Sequence, residues 1–171
     1  MTICPKCGKE NTSVFSDTVD KTHGYHCDDC NIDFGVDDGK KINNYESLLS
    51  EFYYKKIDKD STVHEVSIKK IGSSSELVLT LIKDNVKTVS NTIDFSSYFE
   101  SFKKLLFENL FILDWQDSTN GIILENNNES YELEIKFRLG LLPTIKKDGI
   151  NSFPPYEIAL ERILLSLFEG M

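Results

Sequence analysis

Arginine is nearly missing from this chain. Two of its 171 residues are Arg, against seventeen Lys, and the formal net charge is −9. A protein that reads guanine through bidentate guanidinium contacts, or coats a phosphate backbone, carries a basic footprint. The totals here show none. No run of residues is long and apolar enough to span a bilayer as a helix. The start, Met1-Thr2-Ile3-Cys4, has no basic segment followed by an apolar one, so no secretory signal is expected. There is no His-Glu-x-x-His and no Gly-x-Ser-x-Gly. Gly35–Lys40 is one residue short of a phosphate loop, and Lys41 follows where Ser or Thr should hold magnesium. Cysteine is scarce too, and all four lie within the first 30 residues.

Those four are what the sequence states most sharply. Cys4-Pro5-Lys6-Cys7 is followed by Gly8, and nineteen residues separate Cys7 from Cys27-Asp28-Asp29-Cys30. Two Cys-x-x-Cys turns supply four thiolates, the donor set that zinc takes in a tetrahedron. Iron accepts the same ligands. With every cysteine used by a metal, none remains for a disulfide, and the expected setting is cytoplasmic. Oxidised pairs are the alternative. His23 and His26 lie close enough in sequence to compete as ligands. All four positions are filled by protein, so the site is expected to be structural.

The segment 1–38 resembles the zinc-ribbon family. Cys4-Pro-Lys-Cys7-Gly8 matches its first knuckle, and Cys27-x-x-Cys30 with Phe34 matches the second. The resemblance implies two knuckles joined by a β-hairpin. It also implies a role in transcription, translation or replication machinery, or in holding a protein–protein contact. The loop between the pairs departs from ribbons with basic fingertips. Glu10, Asp17 and Asp20 stand there against Lys9 and Lys21, and Asp28 and Asp29 sit inside the second knuckle. Phosphates are repelled by such a surface.

Beyond the module, Asp37–Lys41 marks a boundary. Residues 39–61 read as a linker with a short helix over 45–56, on the spacing of Tyr45, Leu48, Leu49 and Phe52, capped by Asn43 or Asn44. Residues 62–171 read as an α+β domain with about six antiparallel strands and two or three helices. Strands are expected at Val63–Ile71, Glu76–Leu81 (covered on both faces), Val86–Phe95, Phe111–Gln116 and Gly121–Glu125. Another is expected where Tyr131, Leu133, Ile135 and Phe137 alternate with charged residues. Asn120-Gly121 reads as a hairpin turn. Ser97-x-x-Glu100 reads as a capping box before a helix with the stripe Phe99, Phe102, Leu106 and Leu110. Gly140–Pro155 reads as a long loop. A C-terminal helix follows, with Leu160, Ile163, Leu164 and Leu167 on a broad apolar face that is either core or a homo-oligomer interface.

Two functions fit. The first is a non-enzymatic zinc-binding regulator or adaptor whose module docks on a protein partner, with no membrane role. The alternative is a nucleic-acid-associated factor using lysine pairs, chiefly Lys55-Lys56 beside Tyr53 and Tyr54, and Lys103-Lys104. Carboxylate groupings such as Glu132 with Glu134, or Asp114 with Asp117 and Glu125, are explained more simply by wet strand faces and a wet surface.

Overall fold

The structure is a computed structural model that describes residues 2–116, 122–123 and 128–169. The chain is α+β, with strands in three antiparallel groups. In the N-terminal module, β1 (Thr12–Asp17), β2 (Thr22–Cys27) and β3 (Ile32–Asp37) form a three-stranded sheet in the order β1-β2-β3. The expected hairpin is present, and β3 extends it.

The larger sheet has six strands in the order β10-β9-β4-β5-β6-β7. Its members are β4 (Leu49–Ile57), β5 (Val63–Ile71), β6 (Ser74–Lys83), β7 (Val86–Asp94), β9 (Ser130–Phe137) and β10 (Ile145–Ile150). β8 (Ile122–Ile123) pairs with β11 (Ser152–Phe153).

β4 corrects the expected helix over 45–56. Helix α1 spans Lys41–Leu48 and stops, and Leu49 begins the strand. Phe52, Tyr54 and Lys56 are buried at a period of two, which only a strand provides. The stretch read as a linker therefore supplies an inner strand of the sheet. Asn43 and Asn44 do not cap α1. Asp38 Oδ1 accepts from the amides of Lys40 and Lys41, both at 2.9 Å, and Asp37 Oδ1 accepts from Ile42 at 3.1 Å.

Pairing sets the core in rows across the sheet. Ile135, Phe52, Ile68 and Leu77 are cross-strand neighbours, as are Leu133, Tyr54, Val66 and Leu79. All eight are buried. The opposite face is polar, with Lys136, Glu51, Lys69 and Glu76 in one row. On β6, Val78, Thr80 and Ile82 are only half-buried, so that strand is covered on one face and not on both.

Helices α2 (Phe99–Lys104) and α3 (Pro155–Ser166) belong to the covering layer. The stripe Phe99, Phe102, Leu106 and Leu110 is buried as expected. No side chain caps α2, so the Ser97–Glu100 box does not form. After α2 the backbone widens to a π turn at Leu105–Asn109 and tightens to a 3-10 turn at Ile112–Asp114, with Phe111 left-handed (φ 50°) between them. The strand expected at Phe111–Gln116 is thus absent. Phe111, Ile112 and Trp115 are buried there, which is not a period-two pattern. The expected loop 140–155 contains β10 and β11. The Asn120-Gly121 turn lies outside the described residues.

Candidate metal centre

Two knuckles are built alike. The Gly8 amide donates to the Cys4 carbonyl and the Asn31 amide to the Cys27 carbonyl, both at 2.8 Å. The residue after the second cysteine is left-handed in each, Gly8 at φ 72° and Asn31 at φ 52°. Glycine adopts that conformation at no steric cost, and asparagine is among the residues that best tolerate it. This turn points both sulfurs of a pair the same way. The Lys6 amide also donates to Cys4 Sγ at 3.4 Å.

The hairpin then brings the pairs together. The sulfurs of Cys4, Cys7, Cys27 and Cys30 all lie within 4.8 Å of one another, and Cys7 Sγ stands 3.8 Å from Cys27 Sγ. A tetrahedron with metal–sulfur bonds of about 2.3 Å has edges of about 3.8 Å. The donor set and its spacing fit a metal ion. Cys4 and Cys27 are fully buried. Mutual crowding argues the same way. The hydrogen bond with the Cys7 sulfur, followed by burial, pushes the Cys30 thiol up to about 12. Burial raises Cys4 as well. Four thiolates this close need a cation between them.

Neither histidine belongs to the cluster. His26 Nδ1 lies 2.7 Å from Asp33 Oδ1, and His23 is exposed on β2.

The module is seated on the larger domain. Tyr25 and Phe34 stack at 5.4 Å, and the Phe111 ring meets both edge-on at 5.5 and 5.2 Å. The Gly35 amide donates to Asp114 Oδ2 at 2.9 Å. At Gly35 an added Cβ would lie 2.7 Å from the Phe111 ring. Beside the metal site, a Cβ added at Gly8 would meet the Pro155 ring at 3.4 Å, and the Tyr156 hydroxyl engages the backbone of Ile3. Sequence reasoning missed this seat because Phe111, Asp114 and Tyr156 show no spacing that links them to the cysteines.

The lysine pairs are not brought to one face. Lys55 and Lys56 point to opposite faces of β4. On the polar face, Lys55 lies between Glu65 and Glu132 as cross-strand neighbours. Lys56 is buried, with Nζ 3.0 Å from Glu161 Oε2, 3.8 Å from Glu129 Oε2 and 4.2 Å over the Phe153 ring. Lys103 is buried against Glu100 and the Phe99 ring, while Lys104 is exposed. Tyr54 is fully buried and unavailable for stacking. Helix α3 keeps Leu160 and Leu164 in the core. Ile163 stands at the lip of an uncharged slot of about 570 Å³ between α2, α3 and the β6–β7 end of the sheet.

A second cluster escaped the sequence. Glu157 in the first turn of α3 is fully buried, and the Tyr54 hydroxyl donates to its Oε1 at 2.7 Å. The signal was there: Glu157 occupies the helical stripe position three before Leu160. Asp114 is held above its ordinary carboxylate range by burial. Asp117 and Glu125 lie outside the described residues.

No protein-family model, no curated protein and no solved structure matches this chain. No helix among the described residues is long and apolar enough to cross a membrane.

Proposed function

We propose that the chain is a zinc-binding adaptor or regulator without catalytic turnover, whose N-terminal module is a zinc ribbon that docks on a protein partner. The closed set of four thiols carries this reading. With Cys4, Cys7, Cys27 and Cys30 on the ion, no coordination position is left for substrate or water. Zinc suits the site because an all-thiolate tetrahedron satisfies an ion without geometric preference of its own. Its role is to fold the module.

The module's remaining surface supports a partner-binding role. The Tyr25–Phe34 side is occupied by the chain's own Phe111. The β1–β2 hairpin faces outward, with Val14 77% and Val19 86% exposed. Two exposed valines on a small acidic hairpin suit an apolar, partly basic protein surface better than phosphate.

The test is capture by the zinc-loaded full chain, with and without nuclease, beside a V14D/V19D variant. A protein retained after nuclease and lost with the variant supports the reading. Capture that depends on nucleic acid overturns it. Metal analysis should give one zinc per chain, and an iron–thiolate absorption spectrum would reject that assignment.

A further inference from the structure

Glu157 is the most deeply buried carboxylate among the described residues. Its exposure is zero. Its Oε1 accepts from Tyr54, and its Oε2 has no hydrogen-bond partner among the described residues. Around it, β4 presents Tyr54 and Lys56, β9 presents Tyr131, the segment before β9 presents Glu129, and α3 itself presents Glu161. Lys56 is the one cation in that set, and its ammonium is already engaged by Glu161 and Glu129. An ionised Glu157 would join Glu161, Glu129 and, further out, Asp58 with its neighbour His64 at 3.4 Å around a single lysine, and it alone would be sealed from water with an oxygen unpartnered among the described residues. Tyr54 supplies that charge with a single hydroxyl donor, and a buried carboxylate held by one neutral hydrogen bond remains disfavoured. The neutral acid keeps the Tyr54 bond and removes the excess charge.

Position gives this acid its consequence. Glu157 shares the first turn of α3 with Pro155 and Tyr156. Pro155 stands where a Cβ added at Gly8, immediately after the second metal ligand, would meet it at 3.4 Å, and Tyr156 bonds Ile3, immediately before the first. The Tyr156 ring also meets Phe111 at 5.5 Å. Any displacement of that turn toward water moves the seat of the module.

We propose that Glu157 is a proton-operated latch: neutral, it holds the first turn of α3 against β4; ionised, it loosens that turn and the module seated on it. The fold favours the neutral form up to about pH 7, since burial pushes this carboxyl from 4.5 up to about 7. The Tyr54 hydrogen bond, and after it Lys56, oppose the shift without cancelling it.

The test is a titration of the metal-loaded full chain by NMR from about pH 5.5 to about 8.5, with metal content checked throughout. The Glu157 side-chain carboxyl carbon and the amides of Ile3 and Gly8 are followed together. Expected is a carboxyl midpoint more than about 1.5 units above an ordinary glutamate, shared by both amides. E157Q should abolish the shared transition at Ile3 and Gly8. Y156F should keep the carboxyl midpoint but uncouple Ile3 from it. A Glu157 midpoint near 4.5, or amides that fail to follow the carboxyl, would overturn the latch. If E157Q does not fold, the wild-type titration and Y156F decide the matter between them.

Discussion

The Tyr156 hydroxyl clasps Ile3 by both ends of one residue. It accepts from the Ile3 amide at 3.2 Å and donates to the Ile3 carbonyl at 2.9 Å. One side chain near the end of the fold thereby fixes the backbone beside the first metal ligand.

Replacing Tyr156 by Phe keeps the ring and removes both bonds. Each is worth roughly 0.5–1.5 kcal/mol. Because Ile3 is only half-buried and can recover water, the expected total is about 1–2 kcal/mol. Urea unfolding measures it. Hydrogen exchange should quicken at Ile3 while β4 and β5 stay protected. Equal loss of protection in both parts would show that the clasp is not local.

Gly35 and Gly39 make a controlled pair. Both have positive φ, at 59° and 80°. An added Cβ at Gly35 meets the Phe111 ring at 2.7 and 2.9 Å, whereas at Gly39 nothing lies within 4 Å. Gly39→Ala should cost about 1 kcal/mol of backbone strain alone. Gly35→Ala should cost at least about 2 kcal/mol more, because the ring is wedged and cannot simply swing away. Thermal unfolding of the two variants side by side tests this, and similar values would refute the wedge.

Glu157 sets a stability slope with a definite sign. Its folded value is raised from 4.5 to about 7 by burial. Its stabilising contribution is full below pH 4.5. Between 4.5 and about 7 the unfolded chain releases the proton while the folded chain keeps it, so stability falls, and above about 7 the loss is complete. The total is at most roughly 3 kcal/mol. E157Q should flatten this part of the profile and exceed wild type at alkaline pH. A wild-type curve rising with pH through this window, with E157Q parallel to it, would be the contrary result.

Lys56 should tolerate loss of charge poorly. Its ammonium is held by Glu161 and Glu129 under the Phe153 ring. Lys56→Ala leaves two carboxylates facing each other and a void, with an expected cost of about 3–5 kcal/mol. Lys56→Met restores the volume but not the charge and should fall between. Double substitution with Glu161→Gln should recover part of the loss, as a double-mutant cycle would show.

Metal removal should unfold the module first. The six-stranded sheet has its own core rows, while the module's buried residues are few and include two of the ligands. Chelation should release Ile3, Gly8 and Asn31 from their bonds and leave the β4–β5 amides protected. Loss of both parts in one transition would mean the seat is worth more than the sheet.

What could be read in advance followed from local repetition. Cys-x-x-Cys spacing led to the sulfur cluster, and period-two alternation led to β9. The stripe from Phe99 to Leu110 led to the buried side of α2. β4 was misread because Tyr45, Leu48, Leu49 and Phe52 satisfy helical spacing across a point where helix becomes strand. Only the continuation through Tyr54 and Lys56 separates the periods, and a buried lysine conceals it. The Phe111–Asp114 elbow depends on a left-handed phenylalanine held by tertiary contacts, which no local preference encodes. The seat joins residues from 79 positions apart at Gly35 and Asp114 to 153 at Ile3 and Tyr156, and a single sequence holds no signal for that.

The clasp between Ile3 and Tyr156 spans 153 positions of the chain. During synthesis at about 5–20 residues per second, the module is complete roughly 6–24 s before the helix that receives it begins to emerge. Its aromatic side, Tyr25 and Phe34, has no cover until Phe111 follows Phe34 by about 4–15 s. A ribosome-bound nascent chain in that interval presents the four-cysteine module with a bare aromatic face, which the finished protein covers with Phe111.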